Sequence, residues 1–246
     1  MHTDSDGKIV CLRRPESGAK SRGARLEWIS IPEEKRVNKR NFYREMETIA
    51  DMFKKSAETE DNGLRPRVLL HVCCAPCFSG SVDSLTDWAD VTAFFYNPNM
   101  NSAEEYDRRA MELRRFIKKA GLDIKAVIRD YDSKNYYRTV RGLENVPEGG
   151  IRCEKCFALR LHETAKYAKE NGFDFFATTL TLSPLKNAEK INLIGEVIGN
   201  DIGVHYLPTD FKKKDGFKRS VDQSKKYGLY RQDYCGCVYS MGDEVS

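Results

Sequence analysis

The spacing of apolar positions changes character along the chain. Residues 1–40 mix glycine, serine, proline and charged residues without apolar periodicity, which predicts a flexible basic tail. Between residues 42 and 53 apolar side chains recur at steps of four, three and four, the pattern of an amphipathic helix, and a polar linker follows. We therefore expect a tail at 1–40, a helix and linker at 41–66, and one folded domain at 67–246.

From residue 67 onward, short apolar runs alternate with helical stretches. The runs are rich in β-branched and aromatic residues, as buried strands are, and they fall at 68–72, 91–96, 124–128, 173–179 and 204–207. Helical periodicity is clearest at 106–120, at 156–170 and around 222–227. This alternation predicts an α/β domain with a mainly parallel five-stranded sheet and flanking helices, of the Rossmann-like (HUP) kind.

Seven of the eight cysteines form three tight clusters, which is the pattern of a metal site. The clusters are Cys73, Cys74 and Cys77; Cys153 and Cys156; and Cys235 and Cys237. They lie 76 and 79 positions apart, so the whole domain must fold to assemble them, unlike a small zinc finger with ligand pairs roughly 12–20 residues apart. Seven thiolates exceed the four that one zinc ion or one [4Fe–4S] cluster takes. Either some are spare, or the site holds more than one metal unit.

The predicted strand ends place these cysteines together. Ligands of parallel sheets bind beyond the carboxyl ends of the strands, and the first cysteine cluster directly follows the first predicted strand. The polar runs at 97–99 and 178–184 follow the second and fourth strands. The last pair, Cys235 and Cys237, follows a helical stretch and must fold back over this edge as a C-terminal lid. We expect all of these residues to meet at one edge of the sheet.

Composition narrows the class of protein. A chain of 246 residues with 40% hydrophobic content can bury one substantial core. We find no signal-peptide pattern and no run of roughly 18 apolar residues, so we expect a cytoplasmic protein without a membrane segment. In that reducing compartment clustered cysteines indicate metal ligands rather than disulfides. The isolated Cys11 is interpreted as an incidental thiol.

Further motifs accompany the cysteines. They are F-Y-N-P-N at 95–99, E-Y-x-x-R at 105–109, Arg160-Leu161 after the second cysteine pair, T-T-L at 178–180 before Ser183-Pro184, and L-Y-R-Q-x-Y-C-G-C at 229–237. With these motifs in this order, residues 67–240 resemble the QueH family of epoxyqueuosine reductases.

The resemblance implies a specific reaction and specific cofactors. The reaction is the last step of queuosine biosynthesis, in which the epoxide of epoxyqueuosine at the tRNA wobble position is reduced to queuosine. The implied cofactors are a [4Fe–4S] cluster and an adjacent mononuclear iron, without cobalamin, and the implied partners are a tRNA with a GUN anticodon carrying epoxyqueuosine and an unidentified electron donor. All seven clustered cysteines are carried over as metal ligands, and all but Cys77 also as cofactor-binding residues.

This chemistry agrees with the residues themselves. Converting an epoxide to an alkene takes two electrons and two protons, and no side chain supplies such electrons, so a cofactor must carry them. A cysteine-held cluster passes electrons singly, while an open-coordinated iron could bind the epoxide oxygen as a Lewis acid. The sequence leaves open which cysteine serves which metal. Adjacent side chains usually diverge, which suggests different irons for Cys73 and Cys74.

Proton donors are less well defined by the sequence. Asp233, Tyr230 and Tyr96 lie beside the predicted edge or the last cysteine pair, and we predict that one of them donates a proton or holds the substrate. His71 lies inside an apolar strand, where a histidine is more often a hydrogen-bonded core residue than a ligand. Between residues 210 and 233 eight Lys and Arg face four Asp, with aromatic residues interleaved, which favours contact with tRNA.

Two other functions stay open at this point. The run S-G-S-V-D-S at 79–84 resembles the S-G-G-x-D-S phosphate loop of ATP pyrophosphatases, some of which are tRNA thiolation enzymes, although Ser81 replaces the second glycine. The other alternative is a non-enzymatic, metal-stabilised nucleic-acid-binding protein.

Overall fold

A computed structural model describes residues 40–59 and 65–241, except for the side chains of residues 57–59. Residues 1–39 of the predicted tail, with Cys11, and residues 60–64 of the predicted linker lie outside the described residues. The domain boundaries given above therefore stay predictions.

Five parallel strands form one sheet in the order β3-β2-β1-β4-β5. Their bounds are β1 Arg67–His71, β2 Asp90–Phe95, β3 Lys125–Ile128, β4 Phe175–Thr178 and β5 His205–Tyr206. All five predicted strands are confirmed, each with slightly shorter or shifted ends. The central strand β1 lies between β2 and β4, and four of its five residues are buried, as expected for a parallel strand covered on both faces.

Eight helices surround the sheet in the part of the chain that the structure describes. They are α1 Phe42–Thr59, α2 Ala75–Ser81, α3 Asp83–Thr86, α4 Ala103–Lys119, α5 Ser133–Val140, α6 Ile151–Glu170, α7 Ala188–Ile202 and α8 Gly216–Tyr227, with 3₁₀ turns at Thr179–Leu182 and Val238–Ser240. The predicted helices at α1, α4 and α8 are confirmed. None of the described helices is long and apolar enough to cross a membrane.

Helix α6 begins five residues earlier than the periodicity indicated. Gly150 is its N-cap residue, and its N-terminal turns contain both Cys153 and Cys156. The sequence pattern had placed the start of the helix at Cys156. The helix packs against β1, β4 and α7. At its N-terminal end, the buried Cys156 packs against Tyr136 and Val140 of α5.

The run at 79–84 does not form a phosphate loop. Ser79, Gly80 and Ser81 are buried inside α2, one helix beyond the end of β1. A methyl group on Gly80 would lie 2.6 Å from the carbonyl oxygen of Gly216 and 2.7 Å from Cβ of Ser220. The small residues therefore allow α2 and α8 to pack closely, and the phosphate-loop interpretation is wrong for this segment.

Candidate metal centre

The first cysteine cluster forms a compact sulfur site at the end of β1. The Sγ atoms of Cys73, Cys74 and Cys77 all lie within 4.8 Å of one another. Those of Cys73 and Cys74 are 3.9 Å apart. Two thiolates on one tetrahedral metal, with metal–sulfur bonds of about 2.3 Å, stand roughly 3.8 Å apart. The three thiols can therefore share one metal ion.

The adjacent cysteines converge because the chain changes direction between them and the helix. Cys74 is the extended N-cap residue of α2, with φ −166° and ψ 162°, and Pro76 follows in the first turn. The expected divergence of the Cys73 and Cys74 side chains is wrong. Cys73 is also fixed to the end of β4, since its amide donates to Oγ1 of Thr179 over 3.2 Å.

The three thiols differ in acidity when no metal is bound. Hydrogen bonds from Cys74 and Cys77, helped by the charge of Arg160, lower the pKa of Cys73 well below its usual value. The pKa of Cys74 rises to about 12, because its proton is shared with Cys73 and because it is buried. A metal ion that binds here must therefore displace thiol protons.

The other four clustered cysteines form a second group. Cys156 and Cys237 are buried together with Tyr136 and Val140. Cys153, whose Sγ accepts a 3.2 Å hydrogen bond from the amide of Gly149, lines the same cavity as Cys235. Burial, together with the charges of Cys235 and Cys237, raises the pKa of Cys156 to about 12, against the opposing effect of Arg160. The seven cysteines are all free thiols.

The C-terminal segment, residues 229–241, folds back onto the loop after β2, as the lid prediction required. The amide of Asn101 donates to the carbonyl oxygen of Gly236 over 2.8 Å. Arg109 reaches the carbonyl oxygen of Cys235 over 3.4 Å. Gly236 has φ +111°, and a methyl group there would lie 2.6 Å from Sδ of Met100. Glycine is therefore required at the tightest point between the two cysteines.

A buried polar network lies beside the cysteines. Arg160, on α6, is 1% exposed; its Nε donates to Nε2 of His71 over 3.3 Å and its Nη2 to Oδ1 of Asn97 over 2.5 Å. Burial and the adjacent guanidinium lower the pKa of His71 to about 3, so the ring is neutral. Nε2 also lies 3.2 Å from the carbonyl oxygen of Tyr96, and Nδ1 lies 2.8 Å from Oγ1 of Thr178, so both ring nitrogens have buried polar partners. The core role predicted for His71 is confirmed.

Arg160 interacts with cysteines of both groups. Its charge acts on Cys156, Cys235 and Cys73. A second buried guanidinium, that of Arg109, acts on Cys74 and pairs with Glu105 over 2.5 Å. One nitrogen of each guanidinium, Nη1 of Arg160 and Nη2 of Arg109, is buried without a well-formed hydrogen bond among the described residues. Such unused donors beside thiolates fit an anionic sulfur-ligated centre.

A cavity of about 230 Å³ opens beside the first cysteine group and contains Cys235 in its wall. A second cavity, of about 210 Å³ and lined by Cys153, shares Cys235 and Lys186 with it. Burial alone would lower the pKa of Lys186, but the charges of Cys235, Cys73 and Cys77 outweigh burial and raise it. Lys186 is therefore a cation facing the cysteines, and no motif in the sequence pointed to this role.

The three predicted catalytic residues lie in different places. Asp233 lines the larger cavity. Tyr230 lines neither cavity; its ring lies 3.5 Å from the guanidinium of Arg108, and its hydroxyl is 3.3 Å from the carboxylate oxygens of Glu105. Tyr96 is buried, also outside both cavities, and burial raises its pKa to about 12. Only Asp233 of the three is brought next to the cysteines.

Comparison with known proteins gives one consistent family. The sequence model of the family described as Epoxyqueuosine reductase QueH matches residues 68–243. Curated relatives of that name include one from Streptococcus pyogenes serotype M1, 44% identical over 204 residues, which cover 81% of this chain and 78% of the relative. Another, from Staphylococcus epidermidis, is 42% identical over 75% of this chain and 80% of its own length. One from Thermotoga maritima is 35% identical over 71% of this chain and 90% of its own length.

Among solved structures, the U34-tRNA thiolase NcsA from Methanococcus maripaludis with its [4Fe-4S] cluster aligns with a TM-score of 0.45 at 15% identity. The alignment covers 79% of this chain and 69% of the thiolase. A likeness at this level carries no argument about activity or cofactor.

Proposed function

This chain belongs to the epoxyqueuosine reductase QueH family, and from that premise we propose how its cysteine site performs the reduction. The substrate is epoxyqueuosine at the wobble position of a tRNA with a GUN anticodon, and the product is queuosine. The reaction takes place in the cytoplasm without cobalamin. The observation that carries the proposal is the cysteine-lined cavity: Cys73, Cys74, Cys77 and Cys235 surround a space open to a substrate.

The two cysteine groups suit the two metal units that the family resemblance implies. Three convergent thiolates suit one iron with an open coordination position, so we assign Cys73, Cys74 and Cys77 to a mononuclear iron. Four thiolates suit a [4Fe–4S] cluster, so we assign Cys153, Cys156, Cys235 and Cys237 to the cluster. When bound, the cluster would supply electrons one at a time and the iron would act as a Lewis acid.

Buried guanidinium groups support an anionic centre at this position. The charge of Arg160 acts on cysteines of both groups and that of Arg109 on Cys74, and each guanidinium has an N–H group without a well-formed partner in the described part of the chain. In buried surroundings such donors stabilise sulfur charge more than they would at the surface. They compensate the negative charge that thiolate ligands and added electrons bring into the core.

The protein's remaining task is to hold the substrate and deliver protons. Loss of the epoxide oxygen as water, leaving an alkene, consumes two electrons and two protons. Asp233 and Lys186 both line the cavity, and we propose that Asp233 passes protons while the charge of Lys186 favours oxygen anions. Tyr230 and Tyr96 line neither cavity, so we propose that they position other groups of the site. Tyr230 ties the C-terminal segment to α4 through its contact with Glu105.

Neither alternative function gains a specific observation. Residues 79–81 end α2 and residues 83–84 begin α3, so this segment forms no phosphate loop that would support ATP-dependent thiolation. A purely structural metal would need no cavity beside its ligands, whereas Cys73, Cys74 and Cys77 line one.

The proposal is tested by reconstituting the full-length protein anaerobically with iron and sulfide. The protein is given tRNA carrying epoxyqueuosine and a chemical reductant, without cobalamin, and the nucleosides are then separated by mass. We expect conversion to queuosine by the wild type and by Cys11→Ser, but not by Cys73→Ser. No conversion, conversion that needs added cobalamin, or ATP-dependent thiolation would each contradict the proposal.

A further inference from the structure

Two large apolar side chains remain exposed at the mouth of the cysteine-lined cavity. Leu185 is 82% exposed and Phe217 is 40% exposed, and both line this cavity. Exposed large apolar side chains scattered singly need no explanation, but a pair beside a ligand cavity indicates a contact surface. The occupant of that surface must be something that enters, or accompanies what enters, the cavity.

The ring of Phe217 lies near a guanidinium whose own position is fixed. It lies in the first turn of α8, directly after Gly216, whose close approach to the Phe211 carbonyl leaves no room for a side chain. The guanidinium of Arg231 lies 5.7 Å from the ring centroid. Arg231 is fixed in turn by hydrogen bonds of 3.1 Å and 3.2 Å to the hydroxyls of Ser220 and Ser224. A phenylalanine ring has only two side-chain torsions, so it loses little conformational freedom when something stacks on it.

We propose that Phe217 is a stacking platform for an anticodon-loop base next to the modified wobble nucleotide, with Leu185 as a second apolar contact at the same mouth. The inference rests on the proposed function, because a wobble nucleotide reaching the cysteines must leave the base stack. Its neighbour then loses a stacking partner. An aromatic side chain can replace that partner, as in many proteins that bind single-stranded RNA.

The charges around the mouth fit RNA. Lys186 and Arg231 line the cavity together with Phe217, and the exposed Lys218 follows Phe217 in α8. Glu148 and Asp233 also line the cavity, so the field is mixed, not uniformly basic. Stacking on Phe217 therefore has to position the RNA base, while the cations attract the phosphates on either side of the extruded nucleotide.

The test compares Phe217→Ala with Tyr137→Ala in the full-length, iron-loaded protein. Tyr137 is a matched control, since it is also 40% exposed but lines neither cavity. Affinity is measured at one salt concentration with an anticodon stem–loop carrying 2-aminopurine beside position 34. Phe217→Ala loses one base–aromatic stack, so its Kd for this RNA should rise about 5- to 100-fold. The change in 2-aminopurine fluorescence on binding should disappear.

Tyr137→Ala should bind the RNA with wild-type affinity. Phe217→Trp, which keeps an aromatic ring, should retain both the affinity and the fluorescence change. KM for epoxyqueuosine tRNA should rise in Phe217→Ala with kcat and iron content unchanged. Unchanged RNA affinity in Phe217→Ala, an equal loss in Tyr137→Ala, or a loss explained by lower iron content would overturn the inference. The inference would also be overturned if Phe217→Ala turned over more slowly only with a protein as the reductant. That result would make the mouth of the cavity the binding site of the electron donor. If the wild type itself fails to form queuosine, the proposed function is contradicted. If the wild type forms queuosine and Phe217→Ala binds and reacts equally well, only the stacking role of Phe217 is contradicted.

Discussion

Replacing Gly236 by alanine should open the C-terminal segment that carries Cys235 and Cys237. The residue has φ +111°, where a side chain costs about 1–3 kcal/mol. The added Cβ would also lie 2.6 Å from Sδ of Met100 and 3.1 Å from Nη1 of Arg109. Both neighbours are 1% exposed, so neither can move freely, and such overpacking costs about 1–3 kcal/mol more. Even about 3 kcal/mol raises the population of the open segment roughly 100-fold.

Hydrogen exchange measures this opening directly. The amide of Asn101, bonded to the Gly236 carbonyl, and the amide of Tyr230, bonded to Glu112 over 2.8 Å, should exchange faster in Gly236→Ala. Iron loading should slow exchange in both wild type and variant, because ligation of Cys235 and Cys237 ties the segment down.

The control is Gly228→Ala, which shares the positive φ, +59°, but has open space around the added methyl group. It should cost only the backbone strain, about 1–2 kcal/mol. Equal exchange in the two variants would show that Met100 and Arg109 do not restrain Gly236. Wild-type exchange in Gly236→Ala would refute the reasoning altogether.

Two further predictions concern the metal centre. Serine at any clustered cysteine should abolish or severely reduce turnover, since serine is a poor iron ligand, and iron analysis should show a loss near one iron for the group of three and a larger loss for the group of four. Cys11→Ser should retain full activity and iron, and a fully active series would exclude the cysteines as the active centre. Arg160→Met should lower the reduction potential of the bound centre by roughly 60–120 mV, because a hydrogen bond to a charged group contributes about 1.5–3 kcal/mol. The reduction potential of Arg160→Lys, measured in a redox titration followed by electron paramagnetic resonance, should lie between those of the wild type and Arg160→Met. An unchanged potential in Arg160→Met would contradict the assigned role.

Local sequence patterns determined the elements of this fold. Apolar runs predicted β1, β2 and β4 because residues of a strand covered on both faces are mostly apolar, and they also marked the more exposed edge strands β3 and β5. The cysteine spacing predicted metal chemistry, since ligand type is a property of the side chain alone. The α6 start was missed because Gly150 acts as its cap without a side-chain oxygen, so no capping residue marks it.

The arrangement of the site was decided only by tertiary structure. His71 and Arg160 are 89 positions apart and meet because β1, between β2 and β4, lies against α6. The folding of residues 229–241 onto the loop after β2 brings Asp233, but not Tyr230, to the cavity that Cys73, Cys74 and Cys77 line. Periodicity records which face of an element is buried, but it does not record which elements share that burial. The sequence therefore determined the chemistry of the ligands, and the order of strands in the sheet determined which of them can act together.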